Sequence, residues 1–192
     1  MHTFKTVQLI EQLKAEANIV LNTAHQLSKL DNNTLNTPPE PGKWSLAQIL
    51  EHLNTYNRYY LPLAASAIAT AKKSAEYKTF KPGWLGNYFT KSMYSEVVSA
   101  KKVTNKMSAM KGHIPADTLD GAAVIKEFIE SQTELLRLLD DAHNVNLAGI
   151  RIPITISKWI KISLGDAFRF LVAHQIRHHL QINNTLAVVK TK

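Results

Sequence analysis

Residues 174–181 read His-Gln-Ile-Arg-His-His-Leu-Gln, and their types and spacing could do chemistry. At about 100° per residue, His174, His178 and Gln181 fall on one helical face, together with Ala167, Leu171 and Ile182. Two imidazoles and an amide therefore point the way the apolar side chains point. His179 points elsewhere. Two histidines four apart can offer two nitrogens to one metal ion. A lone inward histidine is more often a core residue satisfied by hydrogen bonds, and the pair is open to both readings until a third ligand is found.

A candidate third histidine lies far upstream. Ser45 and Gln48 form a capping box that starts a helix at Ser45. Leu46, Ile49, Leu53, Tyr56, Tyr60 and Leu63 make its apolar stripe, and His52 sits at the edge of that stripe, one turn from Ile49 and Tyr56.

These residues carry a resemblance. Trp44-Ser45-x-x-Gln48-x-Leu50-x-His52-Leu53, followed by His174-x-x-x-His178-x-x-Gln181, is similar to the DinB/YfiT-like superfamily, in order and spacing over nearly the whole chain. The resemblance implies an all-α, up-and-down four-helix bundle with an additional short helix or long connection. It also implies that His52, His174 and His178 ligate a divalent metal ion. It does not fix a substrate, because that superfamily includes thiol transferases, isomerases and hydrolases.

Three neutral imidazoles suit Zn, Ni, Fe or Cu, with Zn, Ni and Fe the leading candidates. Three protein ligands leave a coordination position open, as catalytic sites do. A water there would be acidified toward neutrality, an incoming thiol could bind as thiolate, or a carbonyl could be polarised. Gln181, one turn past His178, is placed to hydrogen-bond a ligand or to cap the core. Tyr56 and Tyr60 are candidates to supply a phenol, with core packing as the alternative. Glu51 points about 100° away from His52, and no carboxylate has inward spacing beside the His pair, so a dedicated general base is in doubt. His2, His25, His113 and His143 have no ligand-like spacing and are expected to face solvent. Trp44, just before the capping box, most simply staples the preceding loop onto the core.

Composition narrows the function classes. The 192 residues suit one domain, 1–192, with a substantial core. There is no Cys, which excludes disulfides, thiolate metal sites and a cysteine nucleophile, so thiol chemistry would need a thiol cosubstrate. No apolar run approaches the roughly 20 residues that span a bilayer, and residues 1–14 lack the apolar stretch of a signal peptide. A cytoplasmic protein is the expectation. The formal charge is +8, and Lys72 to Lys111 holds nine Lys against Glu76 and Glu96. A Lys-only surface lacks the guanidinium forks that read phosphates and bases, so no nucleic-acid partner is expected. The expected partner is a small-molecule substrate, with a low-molecular-weight thiol as one candidate, and a homodimer is allowed. The leading reading is a metal-dependent enzyme, hydrolase-like or a thiol-dependent transferase. The alternatives are a non-catalytic metal-binding stress-response protein and a nucleic-acid-binding module.

The elements that must position these residues follow from periodicity. Helices are expected over about 3–30, 45–73, 94–111, 119–143 and 163–189. Pro62 should kink or divide the second. The last should be capped by Ser163 with Asp166 at its third position. Residues 31–43, rich in Asn and Pro, read as a loop. Residues 76–93 read as a long connection over the open end of the bundle. Ile150, Ile152, Ile154 and Ile156 alternate with other residues, which suggests a single extended segment along the helices. No sheet is expected.

Overall fold

A computed structural model describes residues 2–98 and 109–190, with 95–98 described by backbone alone. Six α-helices are present among them: α1 (Thr6–Leu27), α2 (Asn32–Asn36), α3 (Leu46–Thr70), α4 (Trp84–Val98), α5 (Gly121–Asp141) and α6 (Leu164–Val189). Two small antiparallel pairs accompany them, β1 (Phe4–Lys5) with β2 (Thr79–Phe80) and β3 (Arg151–Ile154) with β4 (Ser157–Ser163).

The caps set the frame. Ser45 accepts from the Gln48 amide while the Gln48 side chain accepts from the Ser45 amide, so the expected capping box starts α3. Ser163 caps α6 by accepting from the Asp166 amide at 3.1 Å. Asp120 caps α5, its side chain accepting from the amides of Ala122 and Ala123. α3 runs through Pro62 as one helix. Pro62 and Arg58, whose carbonyl loses its intrahelical partner there, are both on the exposed side, where water can replace the missing N–H.

Four long helices share the core. α3 lies against α5 and α6, and so does α1. Of the chain-consecutive pairs of long helices, α3 and α5 therefore lie against each other, whereas α1 has its main contacts with α5 and α6. The connections from α1 to α3 and from α5 to α6 are long enough to cross between helices, as short loops are not. Two apolar clusters fill the interior. One gathers Leu13, Tyr56, Tyr60, Leu135 and Leu171, and the other gathers Leu27, Leu50, Phe128 and Ile182.

Three further expectations are corrected. The 31–43 loop contains α2, capped by Asp31, and its Asn32 Oδ1 accepts from the Gly121 amide at 2.8 Å, tying it to the start of α5. A five-residue helix is too short to show periodicity, and this one is stabilised by tertiary bonds. The 76–93 connection is in fact half helix, because α4 begins at Trp84. It packs on α6 where glycine allows close approach: a Cβ on Gly86 would meet the Asp166 side chain at 2.3 Å. The expected helix over 94–111 falls largely outside the described residues, and 111–113 is a 3-10 turn. The isoleucine-rich segment is a hairpin and not one extended strand. Ile152 pairs with Ile162, and both are buried, while Trp159 is 95% exposed. The partner strand has little alternation of its own, which hid the pair.

Candidate metal centre

His52 comes from the middle of α3, and His174 and His178 from the middle of α6. They lie where the two apolar clusters meet. His52 sits between Leu50 of one and Tyr56 of the other, and the α6 pair sits between Leu171 and Ile182. All three are buried, at 3%, 5% and 8% exposure.

The Nε2 atoms converge. His174 Nε2 is 3.2 Å from His52 Nε2 and 3.0 Å from His178 Nε2, and one nitrogen of each residue lies within 4.8 Å of the others. The far nitrogens explain the orientation. His52 Nδ1 donates to the His113 carbonyl at 2.7 Å, and His178 Nδ1 donates to Gln181 Oε1 at 2.8 Å. A neutral imidazole carries one N–H, so both Nε2 atoms present lone pairs. His174 Nδ1 is buried without a hydrogen-bond partner among the described residues.

The donor set fits a metal ion. Two nitrogens about 2.0–2.1 Å from one tetrahedral ion stand roughly 3.3–3.4 Å apart, close to the separations found here. At most one proton can sit among three converging nitrogens, and a cation satisfies all three at once. The surroundings keep the rings neutral. Burial pushes His52 down, pushes His174 well below the ordinary imidazole value and pushes His178 down to about 3, and the positive charge of Arg177 acts in the same direction on all three.

A cavity of about 240 Å³ opens beside the cluster. Tyr56 and Tyr60 both line it. Tyr56 lies 4.5 Å, centroid to centroid, from His174, and burial raises its phenol above the usual value. Burial also pushes Tyr60 up to about 12, and its hydroxyl accepts from the Thr155 amide at 3.4 Å. Both phenols therefore stay protonated at neutral pH. Gln181 is engaged with His178 and does not line the cavity. No carboxylate lines it among the described residues. Glu51 instead pairs with Arg58 at 2.8 Å.

His113 departs from expectation. It is half-buried, its ring stacks on Tyr56 at 4.2 Å, and its Nδ1 lies 2.6 Å from Thr55 Oγ1. Its local sequence gave no periodicity, so only the tertiary contact reveals it. Trp44 does more than close a loop, since it lines the cavity with its ring 5.0 Å from His52. Phe170 and Arg177 also line it and went unremarked in the sequence. The signal was present: four residues before and three after His174, both fall within about 60° of its face.

His179 faces α1, with Nε2 3.0 Å from Thr23 Oγ1. Lys72, Lys73, Lys78, Lys81, Lys91 and Lys111 are exposed, and Lys101, Lys102 and Lys106 lie outside the described residues. No helix among the described residues is long and apolar enough to cross a membrane.

The order of motifs, the helices that carry them and the buried three-His cluster agree with one family, and the sequence matches the DinB superfamily over residues 12–182. The chain belongs to the DinB superfamily. Comparison with curated proteins and with solved structures gives no match. DinB membership and the buried cluster together fit a metal-binding function.

Proposed function

We propose that this DinB protein is a metal-dependent enzyme acting on a small molecule, with His52, His174 and His178 as the ligands of one Zn, Ni or Fe ion. The observation that carries the reading is the convergence of three imidazoles on the wall of a cavity, with His174 Nε2 3.2 Å from His52 Nε2 and 3.0 Å from His178 Nε2. Bound there, the ion would supply a Lewis acid with a position open to water, thiol or carbonyl. The chain's own residues do the rest. Gln181 and the His113 carbonyl hold two ligand rings in the tautomer that presents Nε2. Trp44, Tyr56, Phe89 and Phe170 give the cavity an aromatic wall. The Tyr56 and Tyr60 hydroxyls keep their protons and act as hydrogen-bond partners, not as bases.

With no cysteine of its own, the protein would need a low-molecular-weight thiol as cosubstrate for transferase chemistry, whereas hydrolase chemistry needs only water. The proposal includes one domain over residues 1–192, built as a four-helix bundle with crossover connections, and a cytoplasmic location, as a monomer or a homodimer. A non-catalytic metal-binding protein is the second reading, favoured by the lack of a carboxylate base among the described cavity residues.

Elemental analysis of protein purified without added metal tests the reading. About one ion per chain is expected in the wild type and none in His178→Ala. Equal metal in both would overturn it. Metal-dependent turnover in a panel of hydrolase and thiol-transfer assays separates the enzyme from the binder.

A further inference from the structure

The β3–β4 hairpin carries an apolar tip that the core does not use. Its inward face is anchored. Ile152, Ile154 and Ile162 are buried, the Tyr59 hydroxyl on α3 donates to the Ile154 carbonyl at 3.1 Å, and the Thr155 amide donates to the Tyr60 hydroxyl at 3.4 Å. Beyond that anchor the ladder breaks. Pro153 pairs with Lys161 but Ile154 pairs with Ser157, so residues 158–160 bulge out of the sheet. The bulge reads Lys158-Trp159-Ile160, with Trp159 95% and Ile160 43% exposed, and Ile156 in the adjoining turn is 61% exposed. Single exposed apolar residues are ordinary on a protein surface, whereas three on one projecting turn form a patch.

The charge around the tip has one sign. Lys158, Lys161 and Arg151 are exposed, and Arg151 Nη2 donates to the Lys161 carbonyl at 2.6 Å, which holds the guanidinium beside the bulge. No acid occurs in the chain between Asp141 and Asp166, and Asp166 is fully buried. We infer that this hairpin tip docks on the surface of an anionic lipid bilayer. Ile156, Trp159 and Ile160 enter the boundary between headgroups and acyl chains, and Lys158, Lys161 and Arg151 lie against the headgroup charge. The tip rests on the surface and spans nothing, which needs no membrane-crossing helix, and none occurs among the described residues. Two other occupants fit less well. In a two-fold contact between copies the same three cations would face one another. A single-stranded nucleic acid could stack on Trp159 but gains nothing from Ile156 and Ile160, which have no π face. The inference is independent of the metal reading.

The test sediments the full chain with vesicles of phosphatidylcholine alone and of phosphatidylcholine mixed with phosphatidylserine. Binding should favour the mixed vesicles, weaken as salt is added, and shift tryptophan emission to the blue. Trp159→Ser should abolish that shift. Trp159→Ser and the double variant Lys158→Gln with Lys161→Gln, each checked for retained helix content, should each weaken partition by about tenfold. Wild-type protein that ignores the mixed vesicles, or variants that bind them as the wild type does, overturn the inference. A dimer that dissociates in Trp159→Ser assigns the tip to a second copy, and tighter binding to a single-stranded oligonucleotide than to the mixed vesicles assigns it to nucleic acid. Either result overturns the bilayer as occupant.

Discussion

His178 Nδ1 donates to Gln181 Oε1 across 2.8 Å, one helical turn on, and that bond turns the opposite nitrogen of His178 toward His174. Under the proposed metal reading Gln181 would act on the site through His178, since it does not line the cavity. Replacing Gln181 with Leu should weaken metal binding by about 10–100-fold, the usual effect of losing an outer-shell partner, without removing it. Competition against a chromophoric chelator measures this. Unchanged affinity would show that the bond does not position the ring.

Neighbouring histidines should behave oppositely. His178→Ala should lower metal affinity by more than Gln181→Leu does and leave α6 intact, since alanine is the stronger helix former. His179→Ala should keep the metal and cost about 1 kcal/mol, through the lost contact with Thr23. Metal analysis and chemical denaturation on both variants check the contrast. Loss of metal in His179→Ala alone would reverse the face assignment.

The apo protein should lose stability in mild acid. Burial holds the pKa values of His52, His174 and His178 below the ordinary imidazole value, with His178 at about 3. Below about pH 6.5 the unfolded chain binds protons at these positions and the folded chain does not. Stability is thus full above about pH 6.5 and falls as the pH drops from there toward 3, by at most about 1.4 kcal/mol per pH unit for each histidine. Urea titrations of metal-free protein from pH 8 to pH 4 should show the decline, and His178→Ala should flatten it.

Gly86 holds α4 close to α6. In Gly86→Ala the new methyl would meet Asp166, which is fully buried and accepts from the Gly83 amide at 2.7 Å. An overpacking cost of about 1–3 kcal/mol is expected. Because α4 carries Phe89 and Met93 to the cavity, binding of apolar ligands should change as well. Thermal melts and ligand titration check both effects. A melting temperature equal to wild type would show that the contact relaxes freely.

Local rules carried much of this protein. The capping box at Ser45, the cap at Ser163 and the stripes of α1, α3, α5 and α6 are short-range patterns, and a capping side chain or a 3.6-residue period acts within a few residues of itself. The inward face of His174 and His178, and His52 at the edge of its stripe, were legible for the same reason. What required the tertiary structure involves groups distant in the chain. The His113 carbonyl reaches His52 across 61 residues, and α4 forms against Asp166, which lies beyond α5. Likewise, Ile152 found Ile162 through a turn that no dipeptide announced. Helix adjacency was decided the same way: long connections leave the order of neighbours open, and burial of four apolar faces together chose α5 and α6, not each other, as the partners of α1 and α3.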